Sequence, residues 1–208
     1  MTRLYAGLAA AAVAALLGVS AWYVLLGRFD DAFSQCRQGQ IAGGDIGGPF
    51  TLVNPAGQTV TDADVLTKPA LVYFGYTFCP DVCPFDMSRN AEAVDILEER
   101  GFDVTPVFIS IDPDRDTPEI MGDYAANLHP KLIALTGSPE QIKVASQTYK
   151  TFYKRQPAED EFYLVDHSTF TYLMLPGIGF VDFFRREATS DQMADAVACF
   201  LQASAGTN

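Results

Sequence analysis

Residues Ala70 to Tyr76 (ALVYFGY) form a continuous apolar and aromatic run that leads directly into Thr-Phe-Cys-Pro-Asp-Val-Cys-Pro. A strand with one wet face alternates apolar and polar side chains, so a run without alternation predicts a central strand covered on both faces. After the cysteine loop, the punctuation predicts a helix with Pro84 at its first position, Asp86 in its first turn, Arg100 in its last and Gly101 just beyond. Strand, loop, helix is therefore the setting of Cys79 and Cys83.

The flanking sequence repeats this grammar. Val104 to Ile111 (VTPVFISI) predicts a second buried strand, and Thr117-Pro118-Glu119 opens a helix. Lys131 to Thr136 predicts a third strand, and Ser138-Pro139-Glu140-Gln141 combines an N-cap, a first-position proline and a capping box. Upstream, Phe50 to Val53 and Gln58 to Thr61 flank Asn-Pro-Ala-Gly as a short hairpin. Downstream, Tyr163 to Val165, Ser168 to Leu175 and Phe180 to Phe184 read as strands, the last two joined by the turn Pro176 to Gly179. A final helix follows Thr189, with Gln192 completing a capping box and Met193, Val197 and Phe200 at helical spacing. This alternation predicts an α/β sandwich around a mixed sheet.

The chain has 208 residues, 49% of them apolar, enough for one sizeable core and an appendage. The appendage is N-terminal. Leu4 to Leu26 contains no charge and as a helix would extend about 34 Å, the thickness of a bilayer core. A cleaved signal peptide ending near Val19-Ser20-Ala21 is the rival reading, but apolar sequence continues through Trp22 and Tyr23. We read residues 1–27 as a membrane anchor, 28–48 as a glycine-rich juxtamembrane linker and 49–203 as the folded domain. The segment begins almost at residue one, without the Arg- and Ser-rich lead of a mitochondrial targeting peptide, which predicts a single-pass protein of the bacterial inner membrane with its domain in the periplasm. All 26 acidic residues and all but one of the 14 basic ones follow this segment, a balance that disfavours nucleic acid and a polybasic membrane contact.

Four cysteines are too few for a disulfide scaffold, yet thiols exported from the cytoplasm tend to oxidise. Cys79 and Cys83 are each followed by proline, which places them in the loop and at the helix boundary. Near a helix N-terminus the dipole and free amides favour thiolate, which is both nucleophile and metal ligand. Three readings stay open on spacing alone: a structural disulfide, a redox couple or half of a metal site. The first would remove little chain entropy, because the closed loop is short. Cys36 and Cys199 carry their own alternatives, a juxtamembrane thiol and a buried apolar one, or a disulfide tying the lead-in to the last helix. Of the two histidines, His129 before Pro130 reads as structural. For His167 the adjacent Asp166 suggests an orienting carboxylate, although neighbours on a strand point to opposite faces.

FGYTFCPDVCP, ISIDPDRDTPE and VDHSTFTYLM, in this order and at these distances, resemble the Sco/SenC family of membrane-anchored copper proteins, which assist assembly of the copper A site of cytochrome c oxidase. The resemblance runs from about Pro49 to Leu201 and includes the N-terminal segment. It implies a thioredoxin-like fold with an inserted hairpin, and a copper site made by Cys79, Cys83 and His167. The ligand chemistry agrees: two thiolates suit Cu(I), an imidazole makes the set acceptable to Cu(II), and three ligands leave an edge open for transfer. A structural zinc would take a closed set of four. The implied partners are the oxidase subunit carrying the copper A site and a second periplasmic copper chaperone. A thiol–disulfide oxidoreductase that reduces the acceptor's cysteines is the alternative function, and it leaves open whether the chain is an enzyme.

Three features stand apart from the implied site. Leu175 to Gly179 replaces an acidic Asp-Pro-type turn of the family and bears on partner docking. Met87 and Met174 are candidate thioether ligands, for which packing is the plainer reading. Asp112, Asp114 and Asp116 lack the glycine and final glutamate of a calcium loop, so solvation and helix capping are expected of them.

Overall fold

A computed structural model describes residues 5, 7, 13–20, 22, 33–37, 45–158 and 162–205. The expected membrane segment lies largely outside the described residues, although residues 13–20 are helical. Among the described residues no helix is long and apolar enough to cross a membrane.

The domain opens with a hairpin of β1 (Thr51–Val53) and β2 (Thr59–Thr61), followed by the one-turn α1 (Asp62–Val65). Next come β3 (Ala70–Gly75), α2 (Val82–Glu99), β4 (Thr105–Ser110), α3 (Pro118–Leu128), β5 (Ile133–Leu135) and α4 (Pro139–Thr148). A second hairpin pairs β6 (Tyr153–Arg155) with β7 (Val165–His167), and β8 (Thr171–Leu175), β9 (Gly179–Phe184) and α5 (Ser190–Ala205) close the fold. The main sheet has the order β5-β4-β3-β8-β9, with β3, β4 and β5 parallel and β8 and β9 antiparallel. It is the mixed sheet expected from the sequence.

All six residues of β3 are buried. Leu71 packs with Val94 and Leu97 of α2 and with Met193, Val197 and Phe200 of α5. The next aromatic on the opposite face, Phe74, lies against Tyr149, which caps the end of α4, with ring centroids 5.2 Å apart. Pro106 is tolerated inside β4 because β5 begins to pair only at Val107, so no partner carbonyl on that side waits for its missing N–H.

The helix signals are realised with one displacement. Ser138 and Gln141 form a capping box, as do Thr189 and Gln192. At the end of α2, the N–H of Gly101 bonds Glu98 and that of Phe102 bonds Leu97, with Gly101 at φ 85°, a conformation that favours glycine. The start of α2 lies two residues before the expected position, at Val82, so Pro84 is the third helical residue. The first turn of a helix has no internal acceptors for its N–H groups, and proline loses nothing there. This register moves Asp86 out of the first turn and into the core. Strand β6 has no signal in the sequence: Tyr-Lys-Arg is short and charged, and its extended form comes from pairing with β7. The strand expected over Tyr163 to Val165 is shifted to Val165–His167 by that same pairing.

Candidate metal centre

Strand β3 delivers the chain to the cysteine loop at the carboxyl end of the sheet. Cys79 sits in that loop, and Cys83 is the second residue of α2. His167 arrives from a segment 84 residues later, at the end of β7, where antiparallel pairing sets it opposite Tyr153. The two sulfurs and an imidazole nitrogen lie within 4.8 Å of one another. Cys83 Sγ is 3.4 Å from His167 Nε2, and the Cys83 N–H donates to Cys79 Sγ at 3.5 Å. Both cysteines are free thiols and both are buried, with Cys83 1% exposed.

A backbone carbonyl orients the imidazole, rather than the neighbouring carboxylate. His167 Nδ1 is 2.8 Å from the Ser168 carbonyl, which can only accept, so in the neutral ring Nδ1 carries the proton and Nε2 presents its lone pair to the sulfurs. Asp166 points away and accepts from Gln156 Nε2 at 2.7 Å, as strand alternation requires. Tyr73 and Tyr76 meet the ring edge-on, with centroids 6.2 and 5.9 Å away.

The thiols are electrostatically unequal. Hydrogen bonding, chiefly from the Cys83 thiol and then from the Cys83 and Asp81 amides, outweighs burial and draws the Cys79 thiol down to about 3. Cys83 is pushed strongly upward, first by its bond to the Cys79 sulfur and then by burial. One thiolate beside one protonated thiol is the resulting state of the metal-free pair.

Several supporting residues carried little signal in the sequence. Tyr73, hidden in the apolar run, donates to Asp86 Oδ2 at 3.0 Å and lies 4.0 Å from Cys83 Sγ. Asp86 in turn faces Arg89 Nη1 at 3.6 Å, and Arg89 donates to Asn90 and Thr171. A phenol inside a buried strand calls for a polar partner, which was the available clue. Gly75 has a steric reason: a Cβ there would stand 2.9 Å from Cys83 Sγ, from Phe108 and from Tyr73.

Other candidates take structural roles. Met87 is buried and its sulfur accepts from Asn90 at 3.8 Å. Met174 pairs with Ala70 at the far end of β3. His129 is satisfied by Asp95 and by the Lys131 N–H, both at 3.1 Å. The Leu175 to Gly179 turn closes the β8–β9 hairpin at the end of the sheet remote from the cysteine loop. Cys36 and Cys199 form a disulfide, with Phe33 against Phe200 beside it. The expectation of solvated or capping aspartates fails for two of three: Asp112 and Asp116 are buried and bonded to protein groups, and Thr117 caps α3 instead. Neighbouring hydroxyl, amide and guanidinium donors make that burial tolerable.

Comparison with known proteins places this arrangement. The SCO1/SenC family model matches residues 38–202. Protein SenC of Rhodobacter capsulatus is 54% identical over 196 residues, spanning 94% of this chain and 89% of that protein. The crystal structure of Arabidopsis thaliana ScoI with copper bound superposes with a TM-score of 0.72 at 45% identity, covering 76% of this chain and 99% of that one. The structure of Bradyrhizobium japonicum ScoI with copper bound gives 0.66 at 38% identity, covering 74% and 98%. The α/β fold with its mixed sheet is that of these thioredoxin-like Sco structures, and its Cys-Cys-His group is positioned to bind copper. By sequence, fold and the convergence of these three side chains, the chain belongs to the SCO1/SenC family.

Proposed function

We propose that the protein is a copper metallochaperone that assists assembly of the copper A site of cytochrome c oxidase, with Cys79, Cys83 and His167 as the ligands. The convergence of two sulfurs and one imidazole nitrogen within 4.8 Å carries this reading. Two thiolates match Cu(I), the Nε2 lone pair extends the set to Cu(II), and a three-ligand site keeps an edge open for acceptor ligands to enter by exchange. The copper-bound relatives support the cargo. Residues 1–27 serve as the anchor in the bacterial inner membrane, 28–48 as the tether and 49–203 as the periplasmic copper-binding domain. The Cys36–Cys199 disulfide supports an oxidising compartment. The partners are the oxidase subunit bearing copper A and a periplasmic chaperone that supplies the ion.

Titration of the reduced full-length chain with copper tests the site. Wild type takes up about one ion, as a mononuclear set of this kind does, and His167→Ala weakens binding severely. Equal affinity in the His167→Ala chain would remove the three-ligand site.

A second reading rests on two neighbouring free thiols at a helix N-terminus. Here Cys79 thiolate attacks a partner disulfide, forming a mixed disulfide and releasing one partner thiolate. Cys83 then attacks the Cys79 sulfur, its proton passing to the second partner sulfur as that leaves. The partner disulfide gains two electrons, and Cys79–Cys83 becomes the disulfide. In this reading His167→Ala retains exchange with a partner disulfide while losing copper loading, which separates the two functions.

A further inference from the structure

We infer that the Asp112-Pro-Asp-Arg-Asp116 loop is the positioning device of the metal centre, holding its cysteine half and its histidine half in one geometry. The inference rests on the proposed ligand set. Cys83 and His167 lie on segments 84 residues apart with no covalent link, so the protein must hold them together before the ion arrives.

One carboxylate holds the cysteine side. Asp116, 0% exposed, accepts from the Thr77 N–H at 3.1 Å, the Thr77 hydroxyl at 2.5 Å and the Ser110 hydroxyl at 2.6 Å. Thr77 lies two residues before Cys79, and Ser110 ends β4. The other carboxylate holds the histidine side. Asp112 accepts from the Tyr163 hydroxyl and from Arg115 Nε, each at 2.5 Å, and Tyr163 lies four residues before His167. The Tyr163 ring is further enclosed by two guanidinium groups, Arg115 at 3.6 Å and Arg155 at 3.5 Å from its centroid. Arg155 belongs to β6 and pairs with Val165 of β7, so the stack ties β6 to the segment that leads into β7 and His167.

The two halves share a rigid base. The Asp116 N–H donates to the Asp112 carbonyl at 2.9 Å, and the Asp112 N–H donates to Ser110 Oγ at 3.0 Å. Burying two carboxylates is costly unless each is fully hydrogen-bonded, and a helix cap needs neither. Asp114, between them, is exposed and meets the rim of the hairpin through Arg155 at 3.5 Å. The loop therefore separates into two buried anchors that reach toward the ligands and one solvated residue that does not.

The test uses the reduced full-length chain loaded with Cu(II) or Cu(I), compared across Tyr163→Phe, Asp112→Asn, Thr77→Val and the control Asp114→Asn. Removal of an outer hydrogen-bond partner typically lowers metal affinity about 10- to 100-fold. Tyr163→Phe and Asp112→Asn should lower Cu(II) affinity by that amount and reduce the nitrogen coupling in the copper EPR spectrum, while Cu(I), held by the two sulfurs, changes far less. Thr77→Val should weaken both oxidation states, and Asp114→Asn neither. Tyr163→Phe keeps the ring in its cation–π stack and removes one oxygen, so it keeps the test available if an aspartate variant fails to fold. A lower melting temperature with wild-type Cu(II) affinity and nitrogen coupling in the folded Tyr163→Phe chain would overturn the inference. An equal response from Asp114→Asn would do the same, by showing that the buried anchors contribute nothing beyond the exposed carboxylate. His167→Ala distinguishes the premise: if it leaves the spectrum unchanged, the ligand reading fails, and if it alone changes the spectrum, the positioning role fails.

Discussion

The two cysteine pairs of this protein have opposite designs. Cys36 and Cys199 are 163 residues apart and bonded, set in an apolar cluster with Leu71, Leu97, Val197 and Phe200. Cys79 and Cys83 are four residues apart and free, beside an imidazole, a phenol and a buried carboxylate. Chain entropy accounts for the difference. Closing the long loop restricts the unfolded chain by about 5 kcal/mol at most, whereas a bridge between the near pair would contribute about 2 kcal/mol. The remote pair suits a staple, and the near pair, which a bridge would stabilise little, is left free beside His167 in a group positioned to bind copper.

The sharpest way to break this comparison is to remove one thiol from each pair. Cys79→Ser or Cys83→Ser should abolish stoichiometric copper uptake, a loss beyond the 100-fold or so that an outer partner costs, as read by titration against a competing chelator. Cys36→Ser should leave copper affinity unchanged and lower unfolding stability by up to about 5 kcal/mol, as read by denaturant titration. A Cys36→Ser chain that loses copper but keeps its stability would invert the assignment of roles.

Smaller effects probe how the near pair is held. Gly75→Ala forces a methyl group against Cys83 Sγ and should cost about 1–3 kcal/mol of stability, with a loss of copper affinity that a remote overpacked site would not show. Tyr73→Phe leaves Asp86 one donor short and should cost about 1–3 kcal/mol, copper stoichiometry being retained. The last measurement looks for a near-absence of change. Because the Cys79 thiol is drawn down to about 3, mainly by the Cys83 thiol, its thiolate persists well below the ordinary thiol range. That depressed value adds stability as pH rises from about 3 to the unfolded thiol range near 8.5, above which the upward-pushed Cys83 opposes it. Alkylation of Cys79 in the metal-free reduced chain should therefore vary little between pH 9 and pH 5, where an ordinary thiol slows steeply.

Much of the fold was legible. An apolar run without alternation marked β3 as central, and paired caps with a terminal glycine located α2, α4 and α5 to within a turn. These are local signals, carried by residues within one strand or one turn of each other. The start of α2 was displaced because proline is equally comfortable at several first-turn positions. Strand β6 escaped notice because three residues, two of them charged, have no periodicity, and their conformation is set by β7.

By itself the sequence determined the α/β alternation, the placing of Cys79 and Cys83 at a helix N-terminus, and, through three motifs in register, the family and its expected ligands. Tertiary structure decided what each group meets. The sequence left a Cys36–Cys199 disulfide open beside two separate thiols, and the fold brought the two together and formed it. Adjacency nominated Asp166 as the orienting group of His167, and the fold supplied the Ser168 carbonyl. The departure from a calcium loop left Asp112 and Asp116 to solvation and helix capping, and the fold buried both between the two halves of the site. The physical reason is common to all three: hydrogen bonds and disulfides act over a few ångströms in space, whatever the separation along the chain.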